Sequence, residues 1–308
     1  MDGVRFREIL TRAAEPELLQ EIRIRAGQPV FVLVDGVERA LFADGTLGEI
    51  SGPGEVVRGD MELIRAILEA ASGHSLYAFE EEIRRGFLTI PGGHRIGLCG
   101  RAVFSGREVR TVRDVSGLNI RMAHEKKGCG EGILKWLYQD GRILNTLLIS
   151  PPGAGKTTLL RDLIRLASDG NCFGEGAAVS VVDERSEIGA CFQGKPQCDL
   201  GMRTDVMDGC PKALGMEMMI RAMAPRILAV DEIGAKEDFE AMRYVMNCGC
   251  RVLATVHGES VKELRQKPVL REMAAEHVFA RYVVLTSAPR PGTVAGIYDE
   301  ELRRVDVG

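Results

Sequence analysis

Residues 146–158 read TLLISPPGAGKTT, and they are the clearest indication of the fold in this chain. Its first five residues are apolar or small, which predicts a short buried strand, and KTTLLRDLIRLASDG (156–170) predicts a helix directly after the loop. Gly153 and Gly155 let the backbone turn several N–H groups toward one anion, and the helix N-terminus adds the positive end of its dipole. The stretch therefore predicts a strand–loop–helix unit that binds the phosphates of a nucleotide.

The residues of this loop have separate predicted roles. Lys156 is expected to reach the β- and γ-phosphates of ATP, and the Thr157 hydroxyl is expected to ligate Mg²⁺. At the first position of the usual pattern Ser150 replaces glycine, and a small residue at a strand end should serve there. The predicted nucleotide-binding residues are Ser150, Pro151, Pro152, Gly153, Ala154, Gly155, Lys156, Thr157 and Thr158.

A second motif, ILAVDEI (227–233), places two carboxylates after a short apolar run. In open α/β folds the carboxyl ends of the strands form the ligand-binding edge, so Asp231 and Glu232 are expected at the nucleotide. Asp231 suits Mg²⁺, directly or through a water, and Glu232 suits polarising the water that attacks the γ-phosphate. The two motifs together predict a Mg²⁺-dependent ATPase.

Two further strand ends carry polar residues. VVDERSEI (181–188) brings Asp183, Glu184 and Glu187 toward the same edge, and LATVHGES (253–260) brings Thr255 and His257. Each group is either part of the site or ordinary surface polarity. We favour a site role, because adjacent parallel strands all end on the side where the γ-phosphate lies.

Apolar runs that alternate with helical patterns fill the second half of the chain. They are TLLIS (146–150), AVSVVD (178–183), RILAVD (226–231), RVLATV (251–256) and RYVVL (281–285). This pattern predicts an α/β fold with a mostly parallel sheet covered by helices on both faces. The first part predicts a smaller α+β domain of antiparallel strands with a helix over 61–71. The expected domains are residues 1–123, a linker with a connecting helix at 124–140, and the ATPase domain at 141–308.

Residues 84–121 contain eight arginines, no lysine and only two acids, in a chain whose net charge is −4. Arginine suits bidentate contact with phosphate or carboxylate groups. Three interpretations stay open: solvated strand faces, arginines that act on the ATP of a neighbouring subunit, or a nucleic-acid surface. Few aromatic residues accompany the arginines, which weakens the last interpretation, because single-strand binders stack bases on aromatic rings.

Together these motifs resemble the secretion-superfamily ATPases, which include type II and type IV secretion motors and pilus motors. EIRIRAGQPVFVLVDGVERAL resembles the first strands of their PAS-like N-terminal domain, and RTVRDVSGLNIRM resembles its final strands. The resemblance spans roughly residues 20–285. It implies a core of the RecA type, a hexameric ring, an acidic box at VVDERSEI, a histidine box at LATVHGES, and arginines in trans, for which Arg113 and Arg121 are the candidates.

Within that superfamily, DLGMRTDVMDGCPKALGMEMMIRAMAPRILAVDEIG and CGCRVLATVHG look like the members that act in endospore formation. This resemblance implies an ATPase on the mother-cell side of the forespore membrane, whose partners are membrane proteins of a channel complex between the two cells. The chain lacks the superfamily's cysteine-ligated zinc insertion. Its second motif reads Asp-Glu where many members have Gly-Glu, so either Glu232 or the Asp183/Glu184 pair activates water.

Charge and hydropathy limit the alternatives. A net charge of −4 gives no overall attraction to nucleic acid or to an anionic membrane. The N-terminus MDGVRFREIL lacks the apolar stretch of a signal peptide, so we expect a cytoplasmic chain that reaches a membrane through its partners. Besides the leading interpretation, an oligomeric motor, two remain: a RecA-type ATPase that translocates nucleic acid, and a nucleotide-gated scaffold with negligible turnover.

Overall fold

A computed structural model describes residues 3–52, 54–73, 79–84, 86–264 and 268–306. The chain forms two compact units, Met1–His124 and Glu125–Gly308.

The first unit is an antiparallel sheet with three helices among its described residues. The helices are α1 (Gly3–Ala13), α2 (Met61–Ala71) and α3 (Glu80–Arg84). The strands are β1 (Leu19–Arg25), β2 (Phe31–Val34), β3 (Val37–Leu41), β4 (Leu47–Gly48), β5 (Phe87–Ile90), β6 (His94–Ser105) and β7 (Glu108–Arg121). They lie in the order β4-β3-β2-β1-β7-β6-β5, and every neighbouring pair is antiparallel.

Alternating burial and local turn chemistry explain this sheet. Along β1, Ile22 and Ile24 are buried while the residues between and after them face solvent at least in part, so one face of the strand packs on the core. Asp35 and Gly36, at φ 48° and 76°, make the tight turn between β2 and β3 that the Asp-Gly pair predicts. Helix α2 has the predicted bounds, and Asp60 caps it by accepting a hydrogen bond of 2.7 Å from the backbone N–H of Leu63.

The second unit is built around a larger, mostly parallel sheet. Its helices are α4 (Leu134–Leu137), α5 (Lys156–Asp169), α6 (Lys212–Met223), α7 (Lys236–Asn247), α8 (Val261–Leu264) and α9 (Pro268–Ala275). Two small hairpins stand outside the sheet: β8 (Tyr138–Gln139) with β9 (Arg142–Ile143), and β11 (Gly170–Asn171) with β12 (Gly174–Glu175). The sheet strands are β10 (Thr146–Ser150), β13 (Val179–Asp183), β14 (Thr204–Asp208), β15 (Ile227–Val230), β16 (Arg251–His257), β17 (Arg281–Thr286) and β18 (Thr293–Tyr298).

The strand order is β14-β13-β15-β16-β10-β17-β18, and only the β17–β18 pair is antiparallel within this described sheet. Every residue of β10, β13 and β15 is buried, because helices cover both faces. In β10, Leu147 and Ile149 pack in a cluster with α6 and α7, while Leu148 packs in another cluster with α5. The predicted α/β core with helices on both faces is confirmed.

Two strands of this sheet were not predicted. β14 reads TDVMD and is only partly buried at the edge of the sheet, so it lacks the apolar run by which the inner strands were recognised. β18 reads TVAGIY and contains Gly296, a residue that is uncommon in strand interiors. Nowhere in the described ranges is a helix both long and apolar enough to cross a membrane.

Candidate active site

The predicted phosphate-binding loop connects β10 to α5, and two of its glycines have backbone angles that other residues rarely adopt. Gly153 and Gly155 have φ of 73° and 87°, in the left-handed region that L-residues with a side chain rarely adopt. A Cβ on Gly155 would also lie 3.0 Å from the backbone nitrogen of Gly292. Ser150 is buried, and its hydroxyl donates a hydrogen bond of 2.8 Å to the carbonyl of Pro151. Serine therefore fits at the strand end without disturbing the turn.

Lys156 is the first residue of α5 and lies among the polar ends of two other strands. Its Nζ is 2.5 Å from Oε1 of Glu232, 3.3 Å from Nε2 of His257 and 4.0 Å from Oδ1 of Asp231. The lysine side chain is only 10% exposed. The sequence predicted that these strand ends would meet at the loop, and the geometry brings these four residues together.

Asp231 is surrounded by hydroxyl groups. Thr157 Oγ1 donates a hydrogen bond of 3.1 Å to Oδ2 of Asp231, and Thr255 Oγ1 donates to Oδ1 of the same carboxylate. The Thr255 hydroxyl also accepts the backbone N–H of Glu232 at 2.9 Å. A carboxylate beside a hydroxyl at the helix N-terminus is a set of hard oxygen donors of the kind that Mg²⁺ prefers. Thr157 and Asp231 thus fit the predicted metal.

Glu232 contacts three basic side chains. Lys156 and Arg185 each approach one carboxylate oxygen to 2.5 Å, and His257 contacts the oxygen that Lys156 contacts. Burial alone would raise the pKa of Glu232, but the Lys156 hydrogen bond and the charges of Lys156, Arg185 and His257 hold that pKa below its ordinary value. Its backbone has a φ of 50°, an uncommon conformation for glutamate that occurs often at functional sites.

Asp183 has a different environment. Its carboxylate is buried and accepts hydrogen bonds of 2.8, 2.9 and 2.8 Å from the backbone N–H groups of Glu187, Ile188 and Gly189. Burial raises the pKa of Asp183 to about 6, against the backbone hydrogen bonds that favour the charged form. Through its three hydrogen bonds the carboxylate holds the loop that follows β13 in place.

Side-chain contacts of Glu184 and Arg161 also hold that loop in place. Glu184 forms an ion pair with Lys212 at the start of α6. Arg161, on α5, donates hydrogen bonds of 2.8 and 2.9 Å to the carbonyls of Ile188 and Glu187. The acidic segment is thus fastened to the helix that begins at the phosphate-binding loop.

The two candidate trans arginines lie on β7 in the first unit. Arg113 is exposed and stands opposite Arg101 of β6, and Arg121 is exposed at the end of the strand, opposite Arg95. Arg101 forms an ion pair of 2.9 Å with Asp114 on the surface. No described residue forms a salt bridge with Arg113 or Arg121, so both guanidinium groups face solvent within their unit.

Comparison with known proteins identifies the family. A family model for sporulation stage III, protein AA, matches residues 2–305. The chain belongs to this family. Stage III sporulation protein AA of Bacillus subtilis (strain 168) is 42% identical over 283 residues, which cover 92% of this chain and 87% of that protein. The resemblance that the sequence indicated is confirmed.

Solved ATPase structures share the fold of this member of the stage III protein AA family. The Legionella pneumophila ATPase DotB aligns with a TM-score of 0.57 at 15% identity, over 92% of this chain and 76% of DotB. The pilus retraction motor PilT, solved with ADP, aligns with a TM-score of 0.58 at 14% identity, over 92% of this chain and 78% of PilT. At this identity the likeness establishes the fold, and it confirms the expected RecA-type core preceded by an antiparallel α+β domain.

Sequence reasoning missed one residue of the candidate site in this stage III protein AA family member. Arg185 contacts Glu232, yet it lies inside the acidic stretch VVDERSEI, whose carboxylates were the predicted site residues. The available signal was its charge, because a cation between two acids at a strand end is placed to contact an acid of the next strand.

Proposed function

We propose that this chain is a Mg²⁺-dependent ATPase that works as a homo-oligomer, a hexamer, with its sites shared between subunits. The supporting observation is the meeting of Lys156, Thr157, Asp231 and Glu232 beyond the carboxyl ends of neighbouring strands, beside a glycine loop with left-handed φ values. A lysine, a hydroxyl and two carboxylates at this position are what binding and hydrolysis of a nucleoside triphosphate require.

Each of these residues has a role that its contacts support. The N–H groups of the loop 150–158 and the Lys156 ammonium bind phosphate oxygens, and Thr157 with Asp231 holds Mg²⁺. The metal, when bound, supplies positive charge that offsets the charge developing on the transferred phosphoryl group. Glu232 orients the attacking water and accepts its proton. His257 and Arg185 contact Glu232 and hold its carboxylate in place.

The contacts favour Glu232 over the Asp183/Glu184 pair as the group that activates water. Asp183 accepts three backbone N–H groups, and Glu184 is paired with Lys212, so both carboxylates are already used in the loop. Glu232 instead contacts Lys156, the residue that must move onto a phosphate when ATP binds. Binding of ATP therefore releases Glu232 from one of its partners just when water must be oriented.

The trans-acting role belongs to Arg113 and Arg121 in this proposal. Both are exposed and lack salt bridges to described residues, so they are available to a neighbouring subunit. An arginine donated in trans contributes on the order of 10³-fold or more to turnover in other P-loop enzymes. Arg113→Ala or Arg121→Ala should therefore remove most activity and leave ATP affinity nearly unchanged. Mixing either variant with Lys156→Ala should restore some turnover, and a mixture without any recovery would refute shared sites.

The family gives this activity its setting. We propose that hydrolysis energises a secretion-like channel complex between mother cell and forespore, to which the chain is recruited from the cytoplasm by membrane-protein partners. Support comes from the membership in a sporulation stage III family and from the shared fold with the ATPase DotB and the pilus retraction motor PilT. Nucleic acid is not an expected partner.

One experiment tests the activity and the assembly together. Steady-state ATP hydrolysis and mass, with and without ATP and Mg²⁺, are measured on the same purified sample. We expect Mg²⁺-dependent turnover that increases with the fraction of hexamer. ATP binding that changes the mass without turnover would identify a nucleotide-gated scaffold instead. Turnover that requires DNA or RNA, with binding that weakens steeply with salt, would identify a translocating ATPase.

A further inference from the structure

A second cleft of the ATPase unit lies at the edge of the sheet opposite the candidate active site. It has a volume of about 670 Å³, within the range of small-molecule sites, and its walls include the first residues of β15 and β16 and the turn between β8 and β9. The polar side chains around it belong to Asp140, Arg142, Glu175, Arg226 and Arg251, and Tyr138 lies among them. All five of these charged residues are exposed.

Close backbone packing fixes one wall of this cleft. A Cβ on Gly174 of β12 would lie 2.6 Å from the carbonyl oxygen of Gly141 and 2.8 Å from the ring of Tyr138, so the two small hairpins touch where only glycine fits. The Tyr138 hydroxyl accepts a hydrogen bond of 2.9 Å from Asn171. The wall is therefore held by main-chain contacts that a change in its charged side chains would not disturb.

A backbone hydrogen bond joins two of the arginines. The backbone N–H of Arg251, the first residue of β16, donates a hydrogen bond of 2.9 Å to the carbonyl of Arg226, the residue before β15. With the described residues, the guanidinium groups of Arg142, Arg226 and Arg251 form no ion pair or hydrogen bond.

Most other arginines of the unit have partners. Arg165, Arg185, Arg221, Arg243, Arg303 and Arg304 pair with carboxylates, and Arg161, Arg203 and Arg281 donate to backbone carbonyls. In the described part of the unit, the only other arginines whose guanidinium groups form no ion pair or hydrogen bond are Arg271 and Arg290. The concentration of unpaired guanidinium groups in one cleft indicates a site for an anion.

Two acids in the same cleft restrict the kind of anion that would bind there. Asp140 and Glu175 line the cleft and form no ion pair with its arginines among the described residues. A ligand that satisfies both sets of groups has an anionic part for the arginines and hydrogen-bond donors for the carboxylates. We propose that this cleft binds a phosphate ester whose alcohol part carries free hydroxyl groups. Arginines engage the phosphate in bidentate fashion, and the two carboxylates accept from the hydroxyls.

Two sources supply this chemistry: a free molecule such as glycerol 3-phosphate, and the headgroup of phosphatidylglycerol in a membrane. Full-length Lys156→Ala protein is used throughout, so that the phosphate-binding loop does not add binding of its own. Glycerol 3-phosphate is titrated by calorimetry. Cosedimentation compares vesicles that contain phosphatidylglycerol with vesicles of phosphatidylcholine alone.

The decisive variant adds Arg226→Gln and Arg251→Gln, and the matched control adds Arg221→Gln and Arg271→Gln, which remove the same charge from α6 and α9. We expect the cleft variant to lose roughly tenfold or more in affinity, because two charged hydrogen-bonding groups are removed, and the control to bind as before. Binding of the free ester identifies a soluble ligand, and binding of phosphatidylglycerol vesicles alone identifies a headgroup site. The proposal is overturned if neither probe binds or if both variants lose affinity equally. Equal thermal midpoints of the two variants show that both are folded.

Discussion

Strands β13 and β15 are neighbours in the parallel sheet, and both lead into the dipeptide Asp-Glu. After β15, Asp231 contacts Thr157 of the phosphate-binding loop and Glu232 contacts Lys156. At the end of β13, Asp183 accepts three backbone N–H groups from its own loop, and Glu184 pairs with Lys212. The backbone that follows each dipeptide causes this difference. After Asp183 the chain turns back at Ser186, with φ of 54°, and brings amide groups onto the carboxylate. The same dipeptide at two adjacent strand ends thus has different contacts.

The largest effect should follow replacement of the lysine of the phosphate-binding loop. Lys156→Ala removes the buried cation at the candidate phosphate site, and we expect ATP binding and turnover to fall by on the order of 10²-fold or more. The matched control is Lys212→Ala, which removes the lysine that pairs with the other dipeptide and should hydrolyse ATP nearly normally. Nucleotide affinity and turnover unchanged in Lys156→Ala would refute the assignment of the loop.

The second-largest effect is expected at Glu232, and it distinguishes Glu232 from Glu184. Glu232→Gln keeps the shape of the side chain but cannot accept a proton, so turnover should fall by roughly 10²- to 10⁴-fold. ATP affinity should be retained, because Lys156 remains free to bind phosphate. Glu184→Gln is the matched control and should change turnover by less than about twofold, since its pair with Lys212 lies in the loop. Normal hydrolysis in the first variant together with an inactive second one would reverse the assignment.

Replacement of Asp183 should change the pH dependence of protein stability rather than the rate of ATP hydrolysis. Its pKa is about 6 in the folded chain against an ordinary value of 3.8, so between these values the folded state binds the proton more tightly than the unfolded chain does. The contribution of Asp183 to the free energy of unfolding therefore falls as pH rises from about 4 to about 6, by on the order of 3 kcal/mol. Denaturant titrations at several pH values should show this fall in the wild type and lack it in Asp183→Asn. Parallel pH profiles of the two proteins would contradict it.

The smallest effect is expected at Arg185. Its side chain is 63% exposed, so solvent screens its ion pair with Glu232. We expect Arg185→Gln to lower kcat by about two- to fivefold with little change in KM, and Arg185→Lys to recover part of that loss. Arg221→Gln, which removes an exposed arginine of α6, should leave both constants unchanged. A loss as large as that of Glu232→Gln would mean that Arg185 contacts the nucleotide itself.

The sequence predicted the sheet and the meeting of its strand ends because both follow from local patterns. TLLIS and ILAV are short apolar runs that only a sheet covered on both faces would bury, and parallel strands must end at one edge. The different contacts of the two Asp-Glu pairs could not be predicted from those patterns. They depend on backbone conformation at Ser186 and Glu232, whose left-handed φ angles have no sequence signature at residues other than glycine and asparagine.

Contacts between distant segments were also outside the reach of sequence reasoning. Gly155 was predicted to let the backbone turn N–H groups toward an anion, but no neighbouring residue in the sequence indicated that Gly292 would approach it. Likewise, β14 and β18 occupy the two edges of the sheet, where partial exposure removes the apolar run that identifies an inner strand. Their places in the sheet follow from pairing with β13 and β17, and pairing is a property of the whole fold.

The position of β10 in the sheet determines how late in synthesis this strand can pair with both of its neighbours. This strand carries the phosphate-binding loop, yet both of its sheet neighbours, β16 and β17, come much later in the chain. The backbone N–H of Gly292, later still, donates a hydrogen bond of 2.9 Å to the carbonyl of Ala154 in the loop. During synthesis TLLIS therefore cannot have both of its native strand partners until Thr286 has left the ribosome. The strand before the proposed nucleotide-binding loop is thus among the last of the sheet to be enclosed.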